Sequence, residues 1–129
     1  ENKRFLDIGS GNGKLLNYLV NKTDLIIDGI EIDEQRYKKS VQLNQDYYNI
    51  DIYHKSFEKI YFGNYDIIYC CNTVFDDDDN NILFSKLLNE FTGLLLLFEY
   101  NHCLKYYLKN TINIKTSWSN NVPIYIFNI

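Results

Sequence analysis

Gly9, Gly11 and Gly13 alternate with Ser10 and Asn12 where the short apolar run Arg4 to Gly9 stops, and a lone carboxylate, Glu31, follows about twenty residues beyond the loop. Glycines at this spacing let a backbone come close to a ligand, and a strand that hands over to a helix through such a loop is where open α/β sheets bind nucleotides and nucleosides. Three chemistries compete for the site. A phosphate-binding P-loop needs Gly-x-x-x-x-Gly-Lys-Ser/Thr. Gly13-Lys14 is present, but Leu15 stands where a magnesium-holding hydroxyl belongs and Ile8 where the first glycine belongs, which excludes a kinase or NTPase. A dinucleotide fingerprint beginning at Gly9 would need its third glycine where Lys14 stands, so an NAD-binding oxidoreductase is the weaker reading. What remains is D-I-G-S-G-N-G (Asp7 to Gly13), followed by G-I-E-I-D (Gly29 to Asp33).

The elements around these residues read as strand, loop, helix. Leu15, Leu16, Leu19 and Val20 have helical spacing over Asn12 to Asn21. Leu25 to Ile32 reads as a second strand, and Asp33 is placed to cap a polar helix from Glu34 to about Gln45. Ile50 to His54 is a third strand. Ile67 to Cys71, apolar on both faces, has the character of a central parallel strand. Asp76 to Asp79 precede a helix carrying Leu83, Phe84, Leu87, Leu88 and Phe91 on one stripe, and Leu94 to Phe98 forms a fifth strand. Cys103, Leu104, Tyr107 and Leu108 suggest one more helix. Ile112 to Trp118 and Val122 to Ile129 are separated only by Ser119, Asn120 and Asn121, too short a link for a parallel crossover, so they pair as an antiparallel hairpin. The expectation is an α/β sheet with a reversed final strand, in a single domain spanning residues 1–129.

With these residues in place the sequence resembles the class I S-adenosylmethionine-dependent methyltransferases over nearly its whole length. The resemblance implies a Rossmann-like, mostly parallel sheet of seven strands in the order 3-2-1-4-5-7-6, helices on both faces, and S-adenosyl-L-methionine as cofactor with S-adenosylhomocysteine as product. Such a ligand carries a sulfonium cation and no pyrophosphate, so the acidic Asp7 and Glu31 have the complementary sign. By the resemblance, the cofactor is held by Asp7, Gly9, Ser10, Gly11, Gly13, Glu31, Ile32, Ser56, Phe57 and Asn72. Glu31 takes the ribose hydroxyls, since a carboxylate with two acceptor oxygens matches a cis diol, and Ile32 lies against the adenine. Ser56 departs from the acidic residue that the family often uses for the adenine amino group.

The fourth strand ends in C-C-N-T-V-F (Cys70 to Phe75), without the Asp/Asn-Pro-Pro-Tyr sequence used on exocyclic amines, so amino-methylation of DNA is disfavoured. Asn72 and Phe75 are similar to a region of the non-SET histone-lysine methyltransferases, which makes them the expected catalytic pair and a protein lysine the suggested acceptor. Asn72 is expected to face the methyl group, and Phe75 or Tyr100 to line the acceptor channel. The rival from another class is a noncatalytic, methyltransferase-like binding or stimulatory module. In the family a segment ahead of the first strand usually closes over the cofactor. This sequence opens at the strand itself, which reads as an excerpt or an incomplete enzyme.

Composition sets the remaining bounds. Among 129 residues, 46% are hydrophobic and 23% charged, and a net charge of -4 offers no broad basic surface for nonspecific nucleic-acid binding. Leu94 to Phe98 is far shorter than the roughly twenty apolar residues of a membrane span, and no signal segment opens the chain, so an intracellular, cytoplasmic protein is expected. Cys70, Cys71 and Cys103 are odd in number and read as small apolar residues, in keeping with a reducing compartment. His54 and His102 lack ligand-spaced partners, so no metal is expected. The Asp76 to Asp79 run reads as helix capping, and Trp118 as part of the core.

Overall fold

The computed structural model describes residues 2–129. Its elements are β1 (Arg4–Ile8), α1 (Lys14–Lys22), β2 (Ile26–Ile30), α2 (Glu34–Asn44), β3 (Ile50–Tyr53), β4 (Ile67–Cys70), α3 (Asp77–Glu90), β5 (Leu94–Leu97), β6 (Leu108–Ile114) and β7 (Val122–Asn128). They form one seven-stranded sheet in the order β3-β2-β1-β4-β5-β7-β6. β1 to β5 are parallel, and β7 runs antiparallel between β5 and β6. This is the order expected from the resemblance.

The pleat explains how the sheet is covered. Leu6 and Ile8 of β1 project to one face and join Leu83, Phe84 and Leu87 of α3, while Phe5 joins Ile27, Ile50 and Leu16 of α1 on the other. Helix starts follow the sequence closely. The Asp33 carboxylate accepts the Arg36 N–H at 2.9 Å and Asp76 accepts the Asp79 N–H at 2.8 Å, each satisfying a free amide of a first turn.

Three expectations fail at the C-terminal end. Leu104, Tyr107 and Leu108 do not continue as an α-helix: only a single 3-10 turn forms at Lys105–Tyr107, and Leu108 already begins β6. One helical turn of apolar spacing is too little to propagate a helix when the next residues can pair with β7. β6 accordingly lies earlier than Ile112 to Trp118, and Trp118 is not core but 60% exposed on the hairpin loop. Among the described residues, no helix is long and apolar enough to cross a membrane.

Candidate active site

The loop between β1 and α1 is folded back onto the end of β2. Gly9 and Ser10 both donate their N–H groups to the Ile30 carbonyl at 2.9 Å, and Gly13 donates to Ser10 O at 3.1 Å. Gly11 has φ +58°, and a Cβ there would meet nothing within 4 Å, so open space lies over this turn. Its N–H donates to Glu31 Oε1 at 2.9 Å. Glu31 Oε2 accepts the Asp33 N–H at 2.8 Å and the Arg36 Nη2 group at 3.4 Å. The Glu31 side chain is thus nearly buried yet keeps acceptor capacity, because an ionised carboxylate has about four lone-pair sites.

Asp7 lies beneath this loop, beside Gly29 of β2 and Tyr69 of β4. It is buried, and its Oδ1 has no hydrogen-bond partner. Burial, and secondly the Glu31 charge, push its pKa up from 3.8 to about 7. An unpaired buried carboxyl oxygen under a glycine turn suits a ligand that brings positive charge or donors to it.

Two cavities meet at the loop. The smaller, about 140 Å³, is lined by Gly9, Ile32, Ser56, Phe57 and Phe75 among others. The larger, about 660 Å³, takes in Gly9, Gly11, Glu31, Ile32, Phe75 and Trp118. Ile32, 69% exposed, belongs to this shared wall rather than to the core. Phe57 and Phe75 stack with centroids 6.0 Å apart, and Ser56 Oγ accepts the Glu58 N–H at 3.3 Å.

Four of the expected site residues do not line either cavity: Asp7, which lies below the loop, and Ser10, Gly13 and Asn72. The Ser10 hydroxyl turns back toward Ile30 O at 3.4 Å. Gly13 packs against α2, where a Cβ would collide with the Ser40 and Asn44 side chains. Asn72 departs most from expectation. Its Oδ1 accepts the Phe98 and Glu99 N–H groups at 3.1 and 3.0 Å, while its Nδ2 donates to Asn80 Oδ1 and Glu99 O at 2.9 and 3.0 Å. The side chain is wholly buried, so its amide ties the ends of β4 and β5 to α3 instead of facing a reacting group. Tyr100 packs edge-on against Tyr125 and Phe127, away from both cavities.

The sequence reading missed Arg36, Cys71, Thr73, Val74 and Trp118, all of which line the larger cavity. Cys71, Thr73 and Val74 flank Asn72, so position after a central strand was the available signal. Arg36 is marked by its place three residues after a cap that follows Glu31. His54 bonds through Nε2 to Ile32 O at 2.9 Å and stacks on Tyr37, and among the described residues no cluster of His, Cys, Asp or Glu could hold a metal.

A family model described as a methyltransferase domain matches residues 5–91, which span the glycine loop, Glu31 and the cavity-lining segments up to the end of α3. The chain belongs to this methyltransferase family. Its fold is shared with an RNA methyltransferase from Salinibacter ruber in complex with S-adenosyl-L-homocysteine: TM-score 0.81, 14% identity, 98% of this chain and 80% of that one. Magnesium protoporphyrin IX methyltransferase from Synechocystis PCC 6803, with bound S-adenosylmethionine, gives a TM-score of 0.78 at 15% identity, over 99% of this chain and 71% of that one. A cyclopropane synthase from Mycobacterium tuberculosis follows at TM-score 0.66 and 17% identity, covering 74% of this chain and 36% of its own. No curated protein matches the sequence. Family and reversed final strand together identify a class I S-adenosylmethionine-dependent methyltransferase domain, and they overturn the oxidoreductase alternative.

Proposed function

We propose that the chain binds S-adenosylmethionine across the two joined cavities and presents its methyl group to an acceptor entering between Phe75 and Trp118. The observation that carries this reading is the Glu31 carboxylate, held nearly buried by the Gly11 and Asp33 amides at the edge of a cavity roofed by no side chain of the loop. Glu31 then accepts from the ribose hydroxyls, Ile32 and Phe57 flank the adenine, and Ser56 offers one further hydrogen bond. Asp7 opposes the ligand's positive charge from below the loop. When bound, the cofactor supplies a methyl group already activated by its sulfonium, so the protein's part is alignment and exclusion of water. Phe75, stacked on Phe57, narrows the passage to the acceptor.

The second reading for the acceptor is a protein lysine, favoured by the aromatic pair Phe57 and Phe75 beside the opening, since a dry aromatic wall lowers an amine's pKa toward the neutral, nucleophilic form. Calorimetric titration tests the cofactor reading directly. S-adenosylhomocysteine is expected to bind one-to-one and NAD not at all. Absence of binding would leave the noncatalytic module as the better account, and equal binding of NAD would overturn the assignment.

A further inference from the structure

The larger cavity has two chemically different ends. Gly9, Gly11, Glu31 and Arg36 make one. The other is made by Cys71, Thr73, Val74, Phe75 and Trp118. The only charged groups in the lining, Glu31 and Arg36, already bond to each other at 3.4 Å, so the second end offers no free charge. It offers exposed apolar surface instead: Val74 is 88% and Trp118 60% exposed. The backbone that carries the indole is also ordered. Thr116 Oγ1 accepts the Trp118 and Ser119 N–H groups at 3.4 and 3.2 Å, and the Thr116 N–H donates to Ser119 O at 2.8 Å, closing a compact turn at the hairpin tip. A solvent-facing indole on an ordered turn, beside the cavity, is a stacking platform with only two side-chain torsions left to fix.

We propose that Trp118 is a specificity-determining residue and that the acceptor is a small planar aromatic molecule whose ring stacks on its face, an inference that rests on the cofactor reading above. No histidine lines this cavity and Glu31 is engaged, so the acceptor heteroatom must be nucleophilic without a protein base. Its lone pair forms the new bond to the methyl carbon as the carbon–sulfur bond breaks and the electron pair returns to sulfur. Any proton on the heteroatom passes to water. This acceptor replaces the protein lysine of the second reading, because a lysine ammonium finds no carboxylate at this end; Glu58 and Asp79 line the smaller cavity instead.

Trp118 is the single tryptophan of the chain, so tryptophan-selective fluorescence reports on this residue alone. With S-adenosylhomocysteine bound, catechol and 8-hydroxyquinoline are expected to quench it saturably, whereas cyclohexane-1,2-diol and a lysine-containing peptide are not. By calorimetry, Trp118→Leu should weaken binding of the rings by about 3- to 10-fold, the range an aromatic pair contributes, and Trp118→Phe should restore most of it. Affinity for S-adenosylhomocysteine should stay within about 2-fold in both variants, because that ligand sits at the other end. If S-adenosylhomocysteine binds but neither ring does, or the diol or the peptide binds as well as the rings, the acceptor proposal is overturned while the cofactor reading stands. If S-adenosylhomocysteine itself fails to bind, the cofactor reading falls first.

Discussion

Glu31 receives the Gly11 N–H on Oε1 at 2.9 Å, so the carboxylate at the end of β2 and the turn after β1 are one hydrogen-bonded unit. Loop shape therefore depends on this side chain, and under the proposed cofactor role ligand recognition depends on it too. Glu31→Ala is expected to weaken S-adenosylhomocysteine binding by about 1 to 3 kcal/mol and to lower stability as well, since the Gly11 and Asp33 amides both lose their partner. Calorimetry and denaturant unfolding read the two effects separately. A loss of stability with unchanged affinity would confine Glu31 to capping.

If Asp7 opposes the cofactor's charge as proposed, it links binding to pH. Its folded-state pKa of about 7 lies above the ordinary 3.8, so the folded chain holds a proton that the unfolded chain has lost between these values. The stability tied to this group is complete below about pH 4 and disappears as pH rises through 7, a loss on the order of a few kcal/mol. A cationic ligand favours the anion. Affinity for S-adenosylmethionine should accordingly increase from pH 6 to 8, about neutrality, with release of a proton measurable in buffers of different ionisation enthalpy. Asp7→Asn should remove both slopes, and a pH profile unchanged by that substitution would sink the assignment.

Asn72→Ala should act on stability rather than on chemistry. The substitution strands the buried Phe98 amide and the buried Asn80 side chain and also frees the part-buried Glu99 amide, and each unpaired buried group costs about 1 to 3 kcal/mol. We expect unfolding to become easier by about 2 to 4 kcal/mol, with methyl transfer per folded molecule little changed. A large drop in kcat at full folding would return Asn72 to the catalytic role that its position suggests.

Two glycines of the same loop should separate. Gly11 and Gly13 both have positive φ, at +58° and +81°, so alanine strains the backbone at either. Only at Gly13 would the added Cβ also strike Ser40 and Asn44. Gly13→Ala should cost the more stability, and Gly11→Ala the more cofactor affinity relative to its stability cost, because the proposed cofactor would lie in the open space above it. Thermal unfolding with and without S-adenosylhomocysteine ranks the pair.

Where a residue's environment is set by local pattern, the sequence was legible. The apolar runs gave β1 to β5 within a residue or two, and Asp33 and Asp76 marked helix starts because a capping carboxylate acts within its own turn. The placement of Glu31 beside the glycine turn was legible for the same reason, since strand end and turn fix its neighbourhood. Asn72 was not, because a polar residue leaving a strand can turn toward the cleft or toward the next strand, and the choice depends on distant Phe98, Glu99 and Asn80. Trp118 failed through register. β6 is an edge strand with little burial between its ends, so its apolar alternation is too weak to place it, and a shift of a few residues moves the indole from core to mouth.

The placement of β7 between β5 and β6 bears on how the chain is made. β5 is the unbroken leucine stretch Leu94–Leu97, and its outer edge is covered only by Tyr125 to Asn128, with Gly93 and Ile129 exchanging backbone hydrogen bonds beyond it. A nascent polypeptide that has emerged as far as Phe98 can pair β5 with β4 but leaves a bare, apolar, hydrogen-bonding edge until Val122–Asn128 leaves the ribosome. During that interval the growing chain is most open to intermolecular strand pairing, so translation pauses or chaperone capture between these two segments should govern its yield of soluble protein.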